Sequence, residues 1–248
     1  MKVSDKLADD LGLVGQSVLD KLQKKLDLQK SKNLMRTRNV MLSGFSDGFN
    51  DGFVDFSSND YLDLSSNPKL LSIADDLKNL SQYGSGGSSY VSGYTKEHKL
   101  CEDAFANAFG FEKAFLFGNG FMANMGIIKA LADKQTLIFS DKLNHASLID
   151  GALASDGKLI RYPHLDLDCL DRLIRKYNSK AGIITSDMVF SMDGDIADLP
   201  KLLEISNKYN YPLILDEAHS AGVLGDNLRL GLVAELDKSQ KQNIILVC

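Results

Sequence analysis

An acid and a histidine follow a short apolar run near the C-terminal end of the sequence. Leu213-Ile214-Leu215 leads directly into Asp216, and His219 comes three positions later. So short a run, flanked by Pro212 and by acids, is typical of a central strand in a parallel sheet. Because open α/β sheets bind ligands at the carboxyl ends of their strands, we expect Asp216 to face a site. A carboxylate there can keep a heterocyclic cofactor nitrogen protonated. The alternative is a strand that simply ends in an acid.

Three further segments place glycine or polar residues at predicted strand-to-helix junctions. Gly118-Asn119-Gly120-Phe121 precedes a helix, whose first N–H groups and dipole favour a phosphate. His145 begins another helix, where an imidazole can stack on a flat ring. Ser191 follows a strand, where its hydroxyl can bond a phenolic oxygen. The alternatives are a tight turn, a surface histidine and an ordinary Asp-Gly turn.

Helix and strand patterns alternate along most of the chain, which predicts a mainly parallel sheet sandwiched by helices in an α/β/α arrangement. An amphipathic helix over 6–32 and a short strand around 53–56 come first. We expect residues 1–55 to form an N-terminal segment and residues 56–248 to form one large domain. The predicted strands of that domain are 113–117, 136–140, 158–162, 182–189, 211–216 and 243–247, with helices between them.

Composition excludes several classes of function. The 248 residues carry a net charge of −5 without a long basic block, so a nucleic-acid partner has no electrostatic support. No apolar run approaches the ~20 residues that cross a bilayer, and the N-terminus lacks a signal-peptide pattern. Cys101, Cys169 and Cys248 lie outside any CxxC pattern, which indicates reduced thiols rather than metal ligands. We expect a cytoplasmic protein that binds no metal.

The order of the motifs resembles one enzyme family. NDYLDLS, GSGGSSYVSGY, GNGF, LNHASLIDGA, VFSMDGD and LDEAHSAGVLG occur in the order typical of the α-oxoamine synthases, which are pyridoxal-phosphate (PLP) enzymes of fold type I. The resemblance runs from about Arg36 to the last residue. It implies PLP as cofactor, amino acid and acyl-thioester substrates, and a homodimer. The GSGGS and VSGY segments are most similar to the biotin-synthesis branch, which joins L-alanine to a pimeloyl thioester with loss of carbon dioxide.

The resemblance also implies a role for individual residues. His145 would stack on the cofactor ring and Asp216 would bond its pyridine nitrogen, so both would act in catalysis. Pyridoxal phosphate withdraws electrons from a substrate only while this nitrogen is protonated, which is why an ionised acid belongs beside it. The implied cofactor-binding residues are Gly120, Phe121, His145, Ser191, Asp216 and His219, and Arg36 is an implied substrate-binding residue.

Several positions depart from the family pattern. The family carries its cofactor-binding lysine in a Thr-x-x-Lys segment after the strand that matches 243–247, and here only Cys248 follows. Lys238 and Lys241 precede that strand and are expected at its opposite end. The family's C-terminal domain is also missing from the sequence. We therefore expect a fragment without synthase activity that aggregates readily.

Two other interpretations of the family resemblance stay open. One is a sister synthase such as glycine C-acetyltransferase, and the other is a lysine-less partner subunit.

Four substitutions also predict local strain. Asp63, Leu228 and Leu230 stand where the family has glycine, and Met188 stands where a small residue is usual.

Overall fold

The computed structural model describes residues 4–38, 49–50, 53–54, 56–76, 84–226 and 230–248. The chain divides into two compact units. The first comprises residues 1–59 and 65–68, and the second comprises residues 60–64 and 69–248. The first unit contains helix α1 (Ser4–Ser31) and an antiparallel pair, β1 (Phe49–Asn50) and β2 (Phe53–Val54). The predicted amphipathic helix is therefore confirmed, and its apolar residues Val18, Leu22 and Leu26 are exposed.

The second unit is built on a five-stranded parallel sheet. Its strand order is β4-β3-β5-β6-β7, and every neighbouring pair is parallel. The strands are β3 (Leu137–Asp141), β4 (Lys158–Tyr162), β5 (Gly182–Asp187), β6 (Leu213–Asp216) and β7 (Ile244–Val247). The helices are α2 (Pro68–Asp76), α3 (Lys96–Phe109), α4 (Gly120–Leu131), α5 (Ala146–Ala154), α6 (Leu167–Tyr177) and α7 (Leu199–Tyr209).

Alternating strand residues belong to two separate hydrophobic clusters, one on each face of the sheet. Phe139 packs with the apolar residues of α6 and α7, whereas its neighbour Ile138 packs with those of α4 and α5. The same alternation separates Ile184 from Ile183. Successive side chains of a strand point to opposite faces, so helices cover both sides. The predicted α/β/α architecture is confirmed.

One predicted strand is wrong. Residues 113–117 lie between α3 and α4 as irregular chain without a strand partner in the described structure. The N–H of Leu116 donates to Glu102 Oε1 at 2.9 Å, and Phe115 is 69% exposed. The apolar pattern alone predicted a strand, but a strand also needs a partner for its backbone groups.

The backbone conformation differs among the described positions at which strain was expected. Asp63 has a φ of 50°, so this position does adopt the left-handed conformation that glycine tolerates best. Met188 is fully buried in the larger core cluster and has no positive φ, so the expectation of backbone strain there is wrong. Leu228 lies outside the described residues. Leu230 has no positive φ, whereas the next residue, Gly231, has a φ of 91°.

Candidate cofactor site

Two buried acids end adjacent central strands. Asp187 closes β5 and Asp216 closes β6, and the two residues are register partners. They are 4% and 8% exposed. No lysine, arginine or histidine of the described residues forms an ion pair with either acid. Burial, and secondarily the charge of Asp216, raises the pKa of Asp187 to about 7.

Both carboxylate oxygens of Asp216 accept hydrogen bonds. The backbone N–H of Ala218 donates to Oδ1 at 2.9 Å, and the side-chain amide of Asn124 donates to Oδ2 at 2.6 Å. Asn124 lies on α4 and is fully buried. Its amide nitrogen also donates to Ser147 Oγ on α5 at 2.9 Å. The acid at the sheet edge is therefore bonded to a helix on one face of the sheet.

His145 joins the same hydrogen-bond network. It is the N-cap of α5, and its backbone N–H donates to Asp187 Oδ2 at 2.9 Å. Its ring Nδ1 lies 2.7 Å from Ser147 Oγ. The ring of Phe121 meets the imidazole edge-on, with centroids 6.3 Å apart. The structure therefore brings together His145, Phe121 and, through two polar side chains, Asp216.

Helix α4 begins at Gly120, as predicted. The Asn119 side chain caps the helix by accepting from the N–H of Met122 at 2.8 Å. The other first-turn N–H groups of a helix have no intrahelical acceptor. A Cβ placed on Gly120 would meet nothing within 4 Å, so the space beside this turn is open. An anionic group can approach the backbone here.

Three further predicted site residues are not joined to this hydrogen-bond network within the described part of the chain. The His219 Nδ1 lies 2.6 Å from the hydroxyl of Tyr61. Ser191 is exposed in the turn after β5 and has no hydrogen bond to the other predicted site residues in the described part of the chain. Arg36 is exposed and belongs to the first unit, so its role stays a prediction.

Sequence reasoning missed the polar residues that connect the site. Asp187 also ends a strand, but Thr185 and Ser186 precede it, so it lacks the continuous apolar run that precedes Asp216. Asn124 is a polar residue among the buried positions of α4, which is otherwise apolar on that side. Ser147 follows His145 by two positions, and Tyr61 is 158 residues from its partner His219, so nothing local indicates that contact.

Lys241 lies at the opposite end of the sheet from these acids. It precedes β7, whose first residue pairs with Leu213 and whose last residue pairs with Asp216. Its Nζ donates to the carbonyl oxygens of Phe109 at 2.8 Å and Ala234 at 3.0 Å. The expected position of Lys241, away from the carboxyl ends of the strands, is confirmed.

Comparison with known proteins agrees with this architecture. Residues 51–248 match the aminotransferase class I and II family. The chain belongs to that family. It is 46% identical over 193 residues to the 8-amino-7-oxononanoate synthase of Nitrosospira multiformis, covering 77% of this chain and 48% of the relative. It is 42% identical to that of Methylobacillus flagellatus over 84% of this chain and 53% of the relative.

Solved structures give the same assignment. The 8-amino-7-oxononanoate synthase of Francisella tularensis has a TM-score of 0.60 at 37% identity, covering 75% of this chain and 51% of that one. A serine palmitoyltransferase from S. paucimobilis, solved with PLP and myriocin bound, has a TM-score of 0.65 at 29% identity, covering 71% and 44%. The resemblance to the α-oxoamine synthases and the fold type I architecture are thus confirmed. The chain spans about half the length of the curated relatives it matches.

Metal-binding clusters and membrane-spanning helices are both absent from the described residues. These residues contain no group of three or more histidines, cysteines and acids placed to hold a metal ion. No helix among them has both the length and the apolar character needed to span a membrane. The three cysteines are free, with Cys101 on α3 and Cys169 on α6.

Proposed function

We propose that this chain carries the cofactor-binding part of a PLP-dependent synthase that joins L-alanine to a pimeloyl thioester and yields 8-amino-7-oxononanoate. In this reaction a carbon–carbon bond forms to the acyl carbon, the thiol leaves, and the alanine carboxylate departs as carbon dioxide. The names of the curated relatives, at 39–46% identity in the first eight, support the proposal. As the family resemblance implies, the enzyme would act as a homodimer.

The observation that carries the proposal is the buried Asp216 carboxylate without a cationic partner in the described residues. Both of its oxygens accept, as the oxygens of an ionised carboxylate do. A buried charge is costly unless an opposite charge compensates it. A protonated pyridine nitrogen supplies both a positive charge and an N–H donor, so the acid fits PLP.

The other site residues fit the remaining parts of the same cofactor. The open turn at Gly120 suits its phosphate, because the helix start offers N–H groups and a positive dipole end. His145 presents an imidazole beside Phe121, which suits stacking on a flat ring. When bound, PLP withdraws electrons from the substrate and stabilises negative charge at its reacting carbon. His145 and Asp216 would then hold the ring in place and keep its nitrogen protonated.

A sister synthase is the second candidate, because solved serine palmitoyltransferases superpose with TM-scores of 0.65–0.66. Identity of up to 46% to the 8-amino-7-oxononanoate synthases favours the first proposal. The discriminating experiment fuses this chain to the remaining half of the Francisella tularensis enzyme. We expect product from L-alanine with pimeloyl thioester. Product only from serine or glycine with another acyl thioester would favour the sister synthase.

The cofactor proposal has its own test. Equilibrium dialysis of the 248-residue chain against PLP should show saturable binding that Asp216→Ala weakens at least about 10-fold, since one charged hydrogen-bond partner is lost. Asp150→Asn is the matched control, because Asp150 is an exposed acid on α5. Equal binding by wild type, Asp216→Ala and Asp150→Asn would contradict the assignment of Asp216.

A further inference from the structure

The buried amide of Asn124 connects the acid of the candidate site to a neighbouring helix. The Nδ2 atom lies 2.6 Å from Asp216 Oδ2 and 2.9 Å from Ser147 Oγ. An amide nitrogen has two protons and no free lone pair, so it donates in both contacts. If the amide were reversed, its oxygen would face the carboxylate, and two acceptors would meet without a proton. The orientation of Asn124 is therefore determined by its partners.

These donations determine where the Ser147 proton goes. The hydroxyl oxygen accepts from Asn124, so its single proton is free to donate to His145 Nδ1 at 2.7 Å. The backbone N–H of Ser147 also points at Nδ1, at 3.3 Å. Two donors directed at one ring nitrogen require that nitrogen to be an acceptor. In a neutral imidazole the proton then resides on Nε2.

The backbone around His145 is fixed by a separate set of contacts. Asp187 Oδ2 accepts from the His145 N–H at 2.9 Å, and the N–H of Asp187 donates to Asn144 Oδ1 at 3.1 Å. Asn144 is itself buried and donates to the carbonyl oxygen of Thr185 at 2.9 Å. The backbone position of the histidine is therefore set by Asp187, and its ring state is set by Ser147 and Asn124.

We propose that Asn124 is a positioning residue that couples Asp216 to His145. It orients the Asp216 carboxylate and, through Ser147, holds His145 as the tautomer with its proton on Nε2. Asp216 would thus present a hydrogen-bond acceptor to a bound cofactor, and His145 would present a neutral imidazole of fixed tautomer. The benefit to PLP binding rests on the proposed function, whereas the tautomer of His145 does not.

The direct test is the state of the His145 ring nitrogens. Long-range ¹H–¹⁵N spectra of the labelled 248-residue chain distinguish protonated from unprotonated nitrogens for each of its 4 histidines, and His145→Gln identifies the relevant signals. We expect an unprotonated Nδ1 and a protonated Nε2 in the wild type. Ser147→Ala and Asn124→Asp should each shift the Nδ1 signal, because both remove the hydroxyl donation to Nδ1 and leave only the longer backbone donation from residue 147. A wild-type Nδ1 that carries the proton would overturn the proposal.

Measuring PLP affinity distinguishes the effect of Asn124 on Asp216 from its effect on His145 through Ser147. Asn124→Asp removes a donor to a carboxylate and places a second acid against it, so we expect binding to weaken about 10- to 100-fold. Ser147→Ala leaves the Asn124–Asp216 bond in place and should weaken binding less than about 10-fold. Asn207→Asp, at an exposed position on α7, is the control for the added charge.

These measurements distinguish failure of the coupling through Ser147 from failure of the proposed function. If Asn124→Asp loses its folded circular dichroism spectrum, Ser147→Ala still tests the tautomer, because it does not touch Asp216. Should Ser147→Ala leave the ring signals unchanged, the coupling through Ser147 is wrong. Failure of the wild type to bind PLP while the tautomer pattern holds would refute the proposed function and leave the coupling standing.

Discussion

The carboxyl of Asp187 gives the folded chain a measurable dependence on pH. Burial and the neighbouring Asp216 raise the pKa of Asp187 from 3.8 to about 7. An acid with a raised pKa is harder to ionise in the folded state than in the unfolded state. The resulting loss of stability begins above about pH 4 and is complete only above about pH 7. Replacing Asp187 by asparagine should therefore help at high pH and not at low pH.

The size of the effect follows from these two pKa values. Between pH 5 and pH 8 the cost of keeping Asp187 folded grows by about 2–3 kcal/mol, at about 1.4 kcal/mol for each pH unit spent between the two pKa values. Asparagine keeps the oxygen that accepts from the His145 N–H and has no charge to titrate. The stability of Asp187→Asn relative to wild type should rise by that amount across this range.

Urea denaturation at several pH values from 5 to 8 measures the difference directly. The contributions of other titrating groups, such as the buried Glu217, cancel because both proteins contain them. Asp150→Asn, which removes an exposed acid, should track the wild type at every pH. In an Asp216→Asn background the effect of Asp187→Asn should shrink, since one cause of the raised pKa is gone. Parallel curves for wild type and Asp187→Asn would refute the reasoning.

Four further predictions concern other parts of the second unit. Lys241→Met should lower the free energy of unfolding by about 1–3 kcal/mol, because two carbonyl oxygens lose their donor, and urea denaturation measures it. Wild-type Lys241 should also escape labelling by PLP and borohydride in peptide mapping; stoichiometric labelling would contradict its assigned position. Gly231→Ala should destabilise the protein more than Gly194→Ala, because both glycines have positive φ but only the new Cβ at 231 would clash with the Glu217 carboxylate. Equal melting temperatures would contradict this. Tyr61→Phe should weaken PLP binding about 2- to 10-fold in dialysis by freeing the His219 ring, and unchanged affinity would separate that contact from the site.

Local sequence pattern predicted the elements that depend on local information. The end of the helix before Gly110 was predictable because glycine tolerates the φ of 70° found there. The strand at 158–162 was predictable from its apolar and aromatic residues. The segment 113–117 was wrong because a strand also depends on a distant partner, which no local pattern reports. For residues 113–117, the lack of a pairing strand in the described structure outweighed the intrinsic strand propensity of the segment.

In the candidate site too, local pattern identified some residues and missed those that depend on long-range contacts. Asp216, His145 and Gly120 stand at strand or helix ends, and motif order was enough to select them. Asn124 and Ser147 were not predictable, because their importance lies in hydrogen bonds to residues 92 and 23 positions away. A buried polar residue on an apolar helix face was the only available signal for Asn124.

The long sequence separation of the Asn124–Asp216 hydrogen bond bears on how the protein acquires its site. The bond joins α4 to β6, and β3, β4 and β5 with their helices lie between them in the chain. Parallel strands of this kind form slowly, because each loop must close before its contacts are gained. A chain that leaves the ribosome with α4 and β3 in place has no partner for Asn124 until β6 has been synthesised and paired. In the proposed function, capture of the cofactor by Asp216 therefore follows the synthesis and pairing of β6, and earlier intermediates lack this contact to PLP.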